Sequence, residues 1–421
     1  MINKIEFSAK NLTSNAGLFL LLDHANKNGI FGLIDHGLVF ENASTNKIKM
    51  NHIKTMLCGN FIGIDKLERL KLLQNDPLVN EFNISIKEPE TISRFLGNFS
   101  YKTTHMLREI NFKAFRKLLR KSELKDITID IDSSVVNVEG HQEGAVKGFN
   151  PKKPGNRCYN LQFAFCDELK AYVTGFMRSG NTYTANGAAE MIKEIVAQIK
   201  TDDLEILFRM DNSGYFDEDI IETIECAGCQ YLIKGKEYPT LDSQVIAPSI
   251  SFSKGDDGRE TTELFAKLDT WDKDRRFVVS RVLKPKKNRA QLSFLEGDEF
   301  EYFYFVTNTE LPSEKVVIAY EKGGNAENYI KEAKYDMAVG HFLLQSFWAN
   351  EAMFQLMMLT YNLFLLFKMD FANGIEYWQQ IKTFRLKYIF LAGKIIRTAR
   401  SVIMKLSEKY PYREMYEQSF P

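Results

Sequence analysis

DITIDIDSSVVNVEG, residues 126–140, is the stretch on which the fold turns. Ile127, Ile129 and Ile131 alternate with Asp126, Thr128, Asp130 and Asp132, the period-two pattern of a strand with one apolar face. Asp130 and Asp132 therefore share the other side, near the strand's C-terminal end. An aspartate there serves as a turn former or a helix cap, or it joins other acids around a cation.

Downstream, HQEGAVKGFNPKKPGNRCYN (141–160) is rich in Gly, Pro and Lys and predicts a loop or hairpin. LQFAFCDELKAYVTGFMRSG (161–180) predicts two strands, which gives three adjacent antiparallel strands with the first. NGAAEMIKEIVAQI (186–199) is a helix, and LEILFRMD (204–211) is a strand that ends on an acid, Asp211. A helix at 217–228 and a strand at 229–237 follow. Between about 240 and 310 the chain turns strand-rich, with RRFVVSRVLK, AQLSFL and FEYFYFVTN. From 311 onward it predicts helix to the end.

Upstream, residues 1–95 predict a small helical unit. It continues into YKTTHMLREINFKAFRKLLRKSELK (101–125), with eight Lys or Arg against two Glu. That run either meets phosphates or is the wet basic face of an amphipathic helix.

At 421 residues the chain is long enough for two or three domains. We expect a mainly helical region at 1–120, a mixed α/β core at 121–340 with a β-rich insertion at about 240–310, and a helical region at 341–421. Fifty-five basic and 55 acidic side chains cancel, which excludes a uniformly basic nucleic-acid coat and leaves room for local patches. Cys226 and Cys229 form a CxxC with no second pair nearby, which falls short of a zinc site. The apolar run MFQLMMLTYNLFLLF (353–367) is shorter than a membrane span and is broken by Gln355 and Asn362, so it predicts a buried helix. The first 17 residues have no apolar signal-peptide core, and we expect a cytoplasmic protein with no membrane partner.

Three acids stand out by position: Asp132 and Asp211 at strand ends, and Glu327 in the charged helical run YEKGGNAENYIKEAKYD (320–336). Taken singly, each has an ordinary reading, and for Glu327 it is a surface pair with Lys331 at i,i+4. Taken together, carboxylates sharing a pocket repel unless a cation neutralises them. Mg²⁺ takes such oxygen ligands and keeps waters and phosphate oxygens.

The segments at 129–160, 208–220 and 320–336 resemble insertion-sequence transposases of the DDE type, cut-and-paste enzymes with an RNase H-like catalytic domain. The Gly-His-Gln-Glu-Gly run at 140–144, Val-Thr-Asn at 306–308, and the segments 350–364 and 398–417 extend the resemblance over roughly 15–415. It implies an α/β fold: an RNase H-like mixed-sheet core with a β-rich insertion, flanked by helical N- and C-terminal regions. It also implies a metal-binding catalytic triad of Asp132, Asp211 and Glu327. Asp130 is the alternative first acid; Asp132 is preferred because related enzymes place the acid directly before a Ser or Thr, here Ser133. The family's Tyr-Arg-Glu-Lys signature falls on Tyr320, Gly323, Glu327 and Lys334, so glycine stands where the family has arginine. Expected DNA contacts are Tyr320, Lys322, Lys334, Lys147, Lys152, Lys153 and Arg157. The expected cofactor is Mg²⁺, two ions, with Mn²⁺ as a substitute. The expected partners are duplex DNA with terminal inverted repeats, target DNA and a second copy of the chain. Gly323 keeps open an inactive or merely nucleolytic relative; a second alternative, of another class, is a DNA-binding protein whose acids are structural.

Overall fold

A computed structural model describes residues 3–420, apart from 151–152, 212, 248–249, 256–257, 284–299 and 342–343. The N-terminal part holds β1 (Leu12–Thr13), α1 (Leu18–Lys27), α2 (Ile30–Gly37), α3 (Ala43–Phe61), α4 (Pro77–Glu81), α5 (Pro89–Leu96) and α6 (Tyr101–Ser122). Asn42 caps α3, Asp76 caps α4 ahead of Pro77, and Ser100 with Thr103 forms a capping box on α6.

The core follows in chain order. It comprises β2 (Asp126–Asn137), β3 (Val146–Lys147), β4 (Arg157–Cys166), β5 (Ala171–Ser179), α7 (Ala188–Ile199), β6 (Glu205–Met210), α8 (Glu218–Cys226) and β7 (Gln230–Lys234). Then come α9 (Pro239–Val245), β8 (Ser253–Lys254), β9 (Glu260–Ala266), β10 (Arg275–Leu283), β11 (Phe300–Thr307), α10 (Ser313–Glu321) and α11 (Gly324–Asp336). Among the described residues ten of these strands form one sheet, in the order β3-β4-β2-β6-β7-β11-β10-β9-β8, with β5 also on β4. The β2–β6 and β6–β7 pairs are parallel and the others antiparallel. This is a mixed α/β core with helical flanks, consistent with an RNase H-like fold. The predicted β2–β4–β5 antiparallel set is present. The 141–160 loop makes the β3–β4 hairpin, with Gly148 and Gly180 in such close approach that a Cβ on either would run into backbone. AQLSFL (290–295) lies outside the described residues.

The long apolar helix α12 (Phe347–Phe371) is capped by Ser346. Among the described residues it alone is long and apolar enough to cross a membrane by length and composition, and 94% of that stretch is buried in the fold. The two polar residues that break its apolar run have a purpose inside. Asn362 accepts from Tyr172 N at 3.0 Å and donates to Tyr172 O at 2.7 Å, and Gln355 donates to Gly175 O at 2.9 Å. They satisfy backbone groups of β5, which has β4 on one side only.

The expectation of helix to the C-terminus is corrected. After α13 (Gly374–Trp378) and α14 (Ile381–Phe384) come two strands, β12 (Gly393–Arg397) and β13 (Val402–Lys405), before α15 (Arg413–Ser419). Basic and apolar residues alternate at near-helical spacing over 381–405, but the chain turns within that run, where Thr398 N donates to Ser401 O at 2.9 Å. The hairpin pairs with β1, so the two ends of the chain share a three-stranded sheet.

Candidate active site

Register brings the first two acids together. On the parallel strands β2 and β6, Asp130 stands opposite Arg209 and Ile131 opposite Met210. Asp132 and Asp211 are the next residues along, at the same end of the sheet. Helix α11 lies against β2 and β4 and carries Glu327 to this end. Asp132, Asp211 and Glu327 thus line one cleft of about 310 Å³, with Ser133, Tyr320, Gly323, Lys331 and Lys334.

Each acid already has a partner. Asp132 accepts from the Ser133 N–H at 2.7 Å. Asp211 accepts from the Tyr320 hydroxyl, and Lys234 Nζ stands 3.8 Å from it. Glu327 pairs with Lys331 at 3.0 Å on an exposed face. Lys334 Nζ donates to Val135 O at 2.9 Å. As the side chains stand, no group of three or more His, Cys, Asp or Glu among the described residues is gathered to hold a metal ion.

The electrostatics nonetheless couple the acids. Burial, and then the charges of Asp211 and Glu327, push the Asp132 carboxyl up to about 7, against the Ser133 N–H and Lys334. Asp211 is also raised, by burial and by Glu327, against Lys234. Such a donor set fits a hard divalent cation: three oxygen-bearing side chains line one cleft, the charges of Asp211 and Glu327 raise Asp132, and that of Glu327 raises Asp211. Asp132, Asp211 and Glu327 are the residues that would hold it, after Tyr320, Lys234 and Lys331 release them.

Asp130 and Arg209 line the same cleft, and each is already bonded to the other. Arg209 Nε and Nη2 bond its two oxygens at 2.6 and 2.8 Å, and both side chains are buried. Arg209 also reaches Asp167 Oδ2 at 2.9 Å and Ala319 O at 2.7 Å. Burial opposes its charge, and Asp130 and Asp167 more than restore it. The sequence reading did not find this pair or Asp167. The signal available was the side-by-side placing of FRMD and IDID on parallel strands, which only register supplies.

The remaining expected contacts are dispersed. Lys322 is exposed at the end of α10 and does not line the cleft. Lys147 and Lys153 are exposed on the β3–β4 hairpin, and Arg157 Nη1 bonds Ala145 O at 3.0 Å within it. The hairpin extends from the same end of β2 as Asp132, roughly 16 Å further along the strand. Lys152 lies outside the described residues.

A mixed sheet with acids at the ends of two neighbouring parallel strands and a third acid on a covering helix is the layout expected of a DDE-type catalytic domain. The family model for "Transposase DDE domain group 1" matches residues 3–420, and the chain belongs to that family. No curated protein matches it. Among solved structures it is loosely similar to a chain of a piggyBac transposase synaptic complex with hairpin DNA determined by cryo-EM. That similarity stands at 12% identity and a TM-score of 0.46, over 85% of this chain and 78% of that one.

Proposed function

We propose that the chain is a DNA transposase that cleaves the ends of its element and joins them to target DNA. The observation that carries this reading is the convergence of Asp132, Asp211 and Glu327, from two strands and a helix, on one cleft. Family membership supports the same class of protein. Two bound Mg²⁺ ions, with Mn²⁺ as a substitute, would supply an activated water and neutralise charge on the phosphodiester.

The chain's own groups then have defined tasks. Asp132 gives up its proton on ligation. Asp211 lets go of the Tyr320 hydroxyl, and Glu327 lets go of Lys331. Tyr320, Lys331 and Lys334, relieved of their carboxylates or close to them, turn to the phosphate backbone. Lys322 and the hairpin cations Lys147, Lys152, Lys153 and Arg157 extend the backbone contact, which makes binding salt-dependent. Residues 1–120 serve as the end-recognition region, and a second copy of the chain bridges the second end. A DNA-binding relative without catalysis is the rival reading, and it draws on Gly323 and on the ungathered carboxylates.

The test is a duplex carrying a candidate inverted-repeat end, incubated with Mg²⁺ or Mn²⁺ and scored for nick, hairpin and joined product. Metal-dependent cleavage at the end is the expected result. DNA binding with no cleavage under either ion favours the rival.

A further inference from the structure

Gly323 has an ordinary right-handed backbone, with φ −58°, so its conformation does not require glycine. Space does. A Cβ at 323 would lie 2.9 Å from Tyr320 O, 3.2 Å from Arg209 Nε and 3.4 Å from Arg209 Cδ. The room beside Gly323, where the family signature has an arginine, is taken by the side chain of Arg209, which reaches it from β6.

Arg209 also holds helix α11 from behind. Its Nη2 bonds Asp167 Oδ2 at 2.9 Å, and the other oxygen of Asp167 accepts from Tyr329 at 3.0 Å and from Asn325 at 3.3 Å. Asn325 and Tyr329 are one helical turn apart and share a face. Glu327, midway between them, projects from the opposite side, towards the cleft. The Arg209 bond to Ala319 O fixes the end of α10, just before the joint with α11. With Asp130 and Asp167 both on one guanidinium, its charge is already matched, so it is not a phosphate contact.

We propose that Arg209 is the positioning residue of this site. One guanidinium ties β2, β6, the β4–β5 turn and the α10–α11 joint together, sets where Glu327 stands relative to Asp132 and Asp211, and crowds the space beside Gly323. The functional consequence rests on the metal-dependent reading above; the pinning of α11 does not.

Three measurements on Arg209→Lys, Asp167→Asn and Gly323→Arg test it. Lysine cannot reproduce the forked contacts of arginine. Asp167→Asn removes charge at a partly exposed side chain and serves if Arg209→Lys does not fold. Hydrogen exchange on the metal-free protein is expected to speed up by about tenfold or more over 325–330 and to stay unchanged in α7. Unchanged exchange over 325–330 in the folded variants overturns the pinning. Titration with Mn²⁺ alone, followed by electron paramagnetic resonance, is expected to show affinity about tenfold weaker or more, the usual effect of losing an outer-shell partner. For Arg209→Lys, affinity for an inverted-repeat duplex without metal should stay within about twofold, because the charge at 209 is matched inside the protein. A loosened α11 with unchanged Mn²⁺ affinity overturns the positioning role. A parent protein that binds no Mn²⁺ sinks the metal-dependent reading instead, and the exchange result still decides the pinning.

Discussion

Arg209 takes both oxygens of Asp130 in a buried, two-bonded pair, at 2.6 and 2.8 Å, in the wall of the cleft that Asp132, two residues on, also lines. The two acids share a side of one strand, and only Asp130 has an arginine on both oxygens. Asp130→Asn should destabilise the fold by about 3–5 kcal/mol, because it leaves a buried guanidinium short of charge. Asp132→Asn should be at least as stable as the parent near neutral pH, because it removes a carboxyl whose ionisation the fold opposes, and it should lose metal-dependent cleavage. Urea unfolding of the two variants, beside the cleavage assay, separates the roles.

Asp132 also predicts a pH dependence. Its carboxyl is raised to about 7, above the unfolded value of about 3.9. The folded chain therefore binds more protons than the unfolded chain between these values. This group's contribution to stability is complete below about pH 4 and is lost as the pH rises towards 7. A divalent cation competes with the same proton, so Mn²⁺ affinity should climb between about pH 6 and 8, and binding near pH 6.5 should release a proton. Calorimetry in two buffers of different ionisation enthalpy counts that proton. In Asp132→Asn the release should fall away; an equal release from parent and variant would assign the proton to another group.

Much of this arrangement is legible in the sequence, and what is not has a physical reason. The isoleucine alternation around Asp130 and Asp132 marks β2, and the apolar run closing on Asp211 marks β6, because local periodicity records which face is buried. The pairing of Asp130 with Arg209 depends on register between strands about 80 residues apart, which no local pattern carries. Gln355 and Asn362 look like flaws in an apolar helix until the edge of β5 shows what they satisfy. The β12–β13 hairpin was hidden because basic and apolar residues alternate there in a way that fits both a helix face and a strand.

Helix α11 is anchored at its far end as well. Glu332 Oε2 meets Lys170 Nζ at 2.5 Å with both side chains buried, and Glu332 Oε1 accepts from Ile381 N at 2.7 Å. Glu332→Gln should destabilise by about 3–5 kcal/mol, since Lys170 is left buried without its counter-charge. Thermal unfolding checks this. A change within about 0.5 kcal/mol would show that the Lys170–Glu332 pair does not hold the helix.

The exposed Lys331–Glu327 pair should behave differently. Lys331→Ala is expected to change stability by less than about 0.5 kcal/mol. If Lys331 turns to phosphate once Glu327 takes a metal, the variant binds the end duplex more weakly, and its log–log salt slope falls by about one. A salt slope equal to the parent's would return Lys331 to a purely surface role.

The most direct measurement is cleavage of an inverted-repeat duplex by the parent and by Asp211→Asn, each with Mg²⁺ and with Mn²⁺. Asp211 is exposed, and among the described residues its side chain meets the side chains of Tyr320 and Lys234, so the variant should fold as the parent does. If Asp132, Asp211 and Glu327 form one metal-binding site, the parent cleaves at the end only with a divalent ion, and Asp211→Asn is slower by about a hundredfold or more. Equal cleavage by the two proteins, or cleavage by the parent in the presence of a chelator, would contradict it.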